Sequence, residues 1–421
     1  MTAIADTALE PTGLPPRRVA RVLARAGSAS TLSIALGAGL ASLSMNFWIP
    51  FLPLYMLHLG ATTDANALFW VAVATTGQGF ARLVSGPAWG ILSDRVGRKL
   101  MFIRALYFAT ATTLIAAFAT EPWHVAMAFV CQGLFSGFIP AAVALTSVTV
   151  EDEKLGSSLG LVTGAQYLGN TVGPAIGGIL AIVVGPRGAI FASALMPALA
   201  ATLVIFTVPR DRVEAAPSKA ALAVGEASRL SIRGMVTTQF LLALFLYFCL
   251  FAMSQLVRLT TPIALKDIIG EDSTGAVGIA FTAGGLGSVF GVFVIGRRWL
   301  RRGRFRSMLV AGCAASAAFH VLLATAGSEW VFIAWFTLIS LVQAAMLPAS
   351  NTLIASAVPR ARRGTAFGFA GSAQAIAFMV GPLAAAGFAA VSLDLGFFVL
   401  GALFVALGVL LRLALAEPRL E

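Results

Sequence analysis

The chain has 421 residues, of which 58% are hydrophobic and only 11% charged, and its mean hydropathy is +0.90. That composition excludes a water-soluble globular domain. A net charge of +11 would suit a nucleic-acid binder, but the cations lie between apolar runs without a basic, aromatic surface module. Their role is therefore topological, and no nucleic-acid partner is expected.

In chain order, residues 1–32 carry Pro11, Pro15, Pro16 and the arginines 17, 18, 21 and 25, without a small-residue cleavage site. This stretch reads as a retained cytoplasmic tail rather than a signal peptide. Twelve apolar segments follow, each long enough to cross about 30 Å of hydrocarbon as a helix. Their expected limits are 33–57, 67–89, 100–120, 123–148, 157–184, 188–208, 235–264, 273–296, 306–327, 330–357, 365–390 and 393–415. With both termini cytoplasmic, every Lys and Arg falls on that side except four. Arg187 and Lys266 lie outside, and Arg82 and Arg258 lie within spans. Such asymmetry is what the positive-inside rule requires. Residues 209–234, with Pro217 and mixed charges at the midpoint, read as a linker between bundles 33–208 and 235–415, and 416–421 as a short tail. Cys131, Cys249 and Cys313 each sit inside an apolar run, so packing is expected of them and no metal site or disulfide.

Two stretches stand out. Gly90-Ile-Leu-Ser-Asp94-Arg95-Val-Gly97-Arg98-Lys99 puts one carboxylate and three cations between two apolar runs and reads as a tight cytoplasmic turn. Gly169, Gly173 and Gly177 recur every four residues, with Gly178 and Pro174 beside them; small residues at that spacing let a neighbouring backbone approach, and proline permits a bend. Sliding the chain on itself by 208 positions lays Pro140 on Pro348, Ala165-Gln166 on Ala373-Gln374 and Val172-Gly173-Pro174 on Val380-Gly381-Pro382. The fold expected is an all-α membrane protein of twelve transmembrane helices in two six-helix pseudo-repeats around a midplane cavity.

On these residues the chain resembles the major facilitator superfamily, and its twelve-span drug:proton antiporter branch of the bacterial multidrug-efflux type in particular. Gly90 to Lys99 looks like the superfamily's motif A, and Gly169 to Gly178 like the antiporter motif C; Ile49-Pro50-Phe51-Leu52-Pro53-Leu54-Tyr55 is similar to the proline-rich end of span one in such exporters. The resemblance implies a cytoplasmic gate of Gly90, Asp94, Arg95, Gly97, Arg98 and Lys99, with Asp94 meeting the start of span eleven near Gly364. It also implies proton antiport. The branch usually carries an arginine four residues before the glycine that here is Gly133; that position is Phe129, so the usual relay lacks its cation.

Charges at membrane depth are costly and point to function. No Asp or Glu lies deep in a span, whereas Arg82 and Arg258 do, which tilts the expected cargo toward an organic anion or amphipathic acid. Arg82 equally suits an arginine snorkelling to headgroups, and Arg258, toward the outer end of span seven, one snorkelling outward. Asn46 and Gln255, seven residues ahead of Pro53 and Pro262, are candidates for the polar floor of the cavity, with Tyr247 among its aromatic lining. His320, in span nine, is a packing residue or a proton-coupling candidate. No P-loop, nucleotide fingerprint, metal cluster or catalytic triad signature is present, so neither an enzyme nor a cofactor is expected. The function read from the chain is export of an amphipathic small molecule across the inner membrane by a monomeric, multi-pass, ion-coupled transporter. Organic-anion uptake or exchange, and a non-transporting receptor on the same scaffold, are the alternatives.

Overall fold

The computed structural model describes residues 29–135, 137–150, 152–209, 237–270, 273–296, 298–299, 304–358 and 363–417; for residues 87, 90, 91, 94, 152–157, 167, 363–365, 367 and 368 it describes the backbone alone. Most of the expected N-terminal tail, nearly all of the midpoint linker and residues 418–421 lie outside the described residues, as does the side chain of Asp94, so its expected meeting with the start of span eleven near Gly364 falls outside them too.

Every described element is helical. Apolar runs this long bury their backbone N–H and C=O groups where no water can reach, and a helix satisfies those groups within the segment. The helices are α1 (Ala29–His58), α2 (Asp64–Val96), α3 (Arg98–Ala117), α4 (Pro122–Thr149), α5 and α6 within Asp152–Thr207, α7 (Thr238–Ile269), α8 (Thr274–Gly296), α9 (Phe305–Ala324), α10 (Glu329–Ser356), α11 (Arg363–Ala389) and α12 (Leu393–Ala414). Hydroxyl caps open three of them: Thr63 accepts from the Asn66 amide at 3.1 Å, Thr237 from Phe240 at 3.2 Å and Ser392 from Leu395 at 3.3 Å.

The rod Asp152–Thr207 is 56 residues long, about 84 Å at 1.5 Å per residue, far more than one bilayer crossing needs. It is broken at Gly185 (φ 76°, ψ 166°), and Pro186 restarts the helix with the fixed φ of a first-turn proline. Residues 152–184 are therefore α5 and residues 186–207 are α6. Helix α4 is broken at Gly137 (φ 68°), between Pro122–Phe135 and Phe138–Thr149. Helix α1 carries a 3-10 turn at Ile49–Phe51, ahead of Pro53.

Three expectations about boundaries are corrected. The first helix starts at Ala29, inside the stretch assigned to the tail. Helix α2 runs well past residue 89. The tight turn expected over Gly90 to Lys99 is confined to one residue, because α2 stays helical to Val96 and the chain reverses at Gly97 (φ 106°, ψ 140°) before α3 begins at Arg98. The reversal needs a positive φ, which confines it to the glycine, while the charged residues on either side extend their helices beyond the apolar layer.

The two six-helix halves repeat one packing scheme. In the N-terminal half α1 packs on the α5–α6 rod, α2 on α4 and α3 on the rod; in the C-terminal half α7 packs on α11, α8 on α10 and α9 on α12. The halves meet through α2 on α11 and through α8 on the α5–α6 rod. An even number of spans puts the described ends of α1 and α12 on one face. One buried cluster, with Ile34, Phe102, Phe138, Leu145 and Val204, stays inside the N-terminal half near that face. The other joins both halves through residues nearer the opposite face, among them Phe51, Tyr55, Ile263, Val277 and Phe281.

Candidate functional site

The face of each helix at the joint follows from its glycines. On α5, an added Cβ at Gly169 would strike the Gly39 carbonyl of α1, one at Gly173 would come 2.9 Å from the Leu43 carbonyl, and one at Gly177 would strike the Phe47 carbonyl. Glycines every fourth residue thus meet carbonyls every fourth residue, backbone against backbone. Gly178 projects the other way, onto Gly278 of α8, where an added Cβ would lie 2.6 Å from the Gly278 Cα. One short glycine run therefore both closes the N-terminal half and seats it on the C-terminal half.

The contacts between the halves run from the face opposite the termini to mid-depth. Lys266 Nζ, near the end of α7, donates to Asp64 Oδ1 at 3.1 Å at the start of α2. Phe51 and Phe281 lie with ring centroids 6.5 Å apart. Deeper, Thr282 Oγ1 donates to the Ala175 carbonyl at 3.4 Å and Thr76 Oγ1 to the Met379 carbonyl at 3.5 Å. On the termini face, three side chains of the motif A region make contacts between described residues that join helices of the N-terminal half. Lys99 Nζ donates to the Ile205 carbonyl at 2.8 Å and to the Val208 carbonyl at 2.5 Å, neutralising the end of α6. Trp89 Nε1 donates to the Leu134 carbonyl at 2.5 Å, and the Arg104 guanidinium lies 3.5 Å over the Trp89 ring. Arg95 is exposed and Arg98 half-buried.

Arg258 is half-buried on α7, 11 residues before Ile269, or about 16 Å from that end of the helix. Its Nη2 donates to Asn46 Oδ1 of α1 at 3.4 Å. Asn46 Nδ2 donates in turn to Asn170 Oδ1 of α5 at 2.8 Å and to the Ser42 carbonyl at 2.9 Å. Of the two readings of Arg258, the outward-snorkelling one does not hold: the side chain spends its reach across the joint, on an amide of the other half. Asn170, inside the glycine motif, was not singled out in the sequence, where attention fell on the glycines around it. Gln255 sits one turn from Arg258, with its Cβ 2.9 Å from the position a Cβ on Gly381 would take. Asn46 and Gln255 are repeat mates in their surroundings, since the Asn46 Cβ bears the same relation to Gly173 at 3.1 Å.

Arg82 is exposed on α2. Gly77, Ala81, Ser85 and Trp89 of that helix touch α4, Thr76 and Gly79 touch α11, and Phe69, Val73, Phe80 and Val84 form an exposed apolar stripe. At 100° per residue Arg82 falls between the α4 and α11 faces and away from the stripe, so it points along the joint rather than toward lipid. Among the described residues it has no hydrogen-bond or ion-pair partner.

Two expected site residues lie elsewhere. Tyr247 is 6% exposed, its ring packed 4.8 Å from Phe251, and is buried rather than lining an opening. His320 is fully buried between α9 and α12, with Nδ1 2.6 Å from the Ser316 carbonyl and its ring 5.1 Å from Phe404, away from the joint.

Against known families, the Major Facilitator Superfamily model matches residues 34–276 and 247–421. The chain belongs to the Major Facilitator Superfamily. Among curated members it is 28% identical over 360 residues to "Multidrug resistance protein MdtG" of Proteus mirabilis, covering 82% of this chain and 86% of that one. It is 27% identical over 349 residues to "Multi-drug resistance efflux pump PmrA" of Streptococcus pneumoniae, covering 83% and 86%. Among solved structures, a D-xylose-proton symporter superposes with a TM-score of 0.73 at 15% identity over 93% of this chain and 98% of that one. The human organic anion transporter MFSD10 gives 0.62 at 17% identity over 94% and 100%. These superpositions establish the superfamily fold. The chain is a multi-pass membrane transporter, not an enzyme.

Proposed function

We propose that this superfamily member exports an amphipathic, drug-like small molecule across the cytoplasmic membrane by alternating access, as a monomer coupled to proton influx, with both termini on the cytoplasmic side. The observation that carries the reading is the joint between the halves, whose described contacts run from the face opposite the termini to mid-depth, from Lys266–Asp64 to Thr76–Met379. Two pseudo-symmetric bodies joined at one face are suited to rocking about that joint. The relatives' names supply the direction, since both are called multidrug proteins and one an efflux pump. Gly90, Asp94, Arg95, Arg98 and Lys99 belong to the cytoplasmic gate, with Gly97 supplying the reversal between its two helices.

The test is flux in proteoliposomes of known orientation. Export is expected as movement away from the side carrying the termini, stopped when the pH gradient is collapsed. Asp94→Asn is expected to stop flux while the protein stays inserted and monodisperse. Movement toward the termini side, or full flux in Asp94→Asn, overturns the export reading or the gate.

A further inference from the structure

The guanidinium of Arg258 is an unneutralised charge at mid-depth. It is half-buried, yet none of its nitrogens is a sealed atom without a partner, so the donors not used on Asn46 open onto accessible space. No Asp or Glu lies near its position on α7, the nearest in sequence being Asp267 at the helix end. A guanidinium carries five donors in a planar fork that matches a carboxylate or sulfonate. Here a single neutral amide oxygen occupies one of them, at 3.4 Å, the long end of a hydrogen bond.

The surroundings supply the rest of a binding site. Phe251 lies seven residues earlier on α7, which at helical periodicity puts it on the face that bears Arg258. Phe251 is half-buried and its ring stacks edge-on against Phe378 of α11, centroids 5.8 Å apart. Gln255, between Phe251 and Arg258, has an amide with no hydrogen bond among the described residues. The face thus reads, from the termini side inward, as aromatic surface ending in a cation flanked by two amides.

We propose that Arg258 is the specificity-determining residue, that the cargo is an amphipathic organic anion whose carboxylate or sulfonate takes the Arg258 fork, and that Asn46, braced by Asn170, is the acceptor it displaces. This rests on the transport reading and names its substrate class. Because Asn46 belongs to one half and Arg258 to the other, the displacement removes a polar tie across the joint. Occupancy of the site and the freedom of the halves to move are thereby linked. Arg82, on the joint-facing side of α2, adds positive potential along the approach without being buried enough to demand a counter-ion.

The experiment uses the purified full chain and two probes that share a ring system, anthracene-9-carboxylate and 9-(aminomethyl)anthracene, read by fluorescence titration and by flux in proteoliposomes. The carboxylate is expected to bind and the ammonium to bind about 10-fold more weakly or worse. Arg258→Gln should weaken carboxylate binding about 10- to 100-fold, the range for losing a charge-assisted hydrogen-bonded pair. Arg258→Lys keeps the charge but not the fork and should fall between. Asn46→Ala, which removes the competing acceptor, should not weaken carboxylate binding. Equal binding of both probes, no carboxylate binding, or unchanged carboxylate affinity in a monodisperse Arg258→Gln overturns the assignment. The two readings fail separately. Flux of the ammonium, undisturbed by Arg258→Gln, overturns the anion site and keeps transport, whereas Arg258-dependent carboxylate binding without flux of either probe keeps the site and overturns transport.

Discussion

The α1–α5 and α7–α11 seams are related by the internal repeat but are built differently. In the first, Gly169, Gly173 and Gly177 press on carbonyls of α1; in the second, the matching positions are Ala377, Gly381 and Ala385, and only the central glycine remains. A Cβ at Gly381 would come 2.8 Å from the Ala252 carbonyl, so the close approach persists at that one level. Above and below it the glycines give way to the buried Ala377 and Ala385, and aromatic pairs such as Phe251 with Phe378 and Phe240 with Phe369 fill the seam. The N-terminal seam is a backbone-to-backbone clamp, and the C-terminal seam is lined by side chains that can adjust. The polar groups follow the same division. Asn46 is fixed by Asn170 across the tight seam, whereas Gln255, on the looser one, keeps its amide unengaged.

The comparison can be broken by exchanging the small residues. Gly177→Val should have the largest effect, because the Phe47 carbonyl occupies the space its side chain needs. Overpacking of this kind costs about 1–3 kcal/mol or more, and we expect little monodisperse protein in detergent. The mirror change, Ala385→Gly, should leave yield and melting temperature nearly intact; equal damage from the two would refute the asymmetry. Gly381→Ala ranks next. It should lower the melting temperature less than Gly173→Ala, since the partly side-chain-lined seam has more room to yield, and differential scanning fluorimetry on the pair decides the order. Lys266→Gln should barely change stability, because a partly exposed ion pair is worth about 0–1 kcal/mol, but it should raise the reactivity of a cysteine placed near Thr282 toward a reagent added on the side opposite the termini. His320→Gln should have the smallest effect. Its place between α9 and α12 leaves the pH dependence of flux unchanged, and a shifted pH profile would return the histidine to the coupling pathway.

Much of the architecture was legible because apolar length and charge asymmetry are one-dimensional signals. The division of the 56-residue rod was legible as the gap between segments 157–184 and 188–208, and the close packing of α5 from its glycine spacing. The site was less legible because it depends on how far each helix is turned about its own axis, which hydropathy does not encode. Arg258 was placed in a span, but the sequence left it between the cavity and outward snorkelling; its direction is set by the neighbouring amide of Asn46. Asn170 escaped notice since a single polar residue among glycines carries no periodic signal until the facing helix is known. Tyr247 shares the aromatic character of a cavity lining, and only packing against Phe251 distinguishes it as buried. The motif A stretch was recognisable by composition, yet its helical continuation to Val96 was not, because charged residues outside the bilayer are compatible with either helix or turn.

Arg258 without a carboxylate nearby also bears on energetics across the membrane. A carrier holding a monoanion on that guanidinium has no net charge at the site, while the empty carrier has one positive unit there. Membrane voltage, negative inside, therefore acts differently on the two strokes, and it drives the unloaded site back toward the cytoplasm. If that unit crossed the whole field, the bias would be about 2.3 kcal/mol per 100 mV. Turnover would then quicken with polarisation through the resetting step alone, leaving the cargo-bearing step insensitive to voltage.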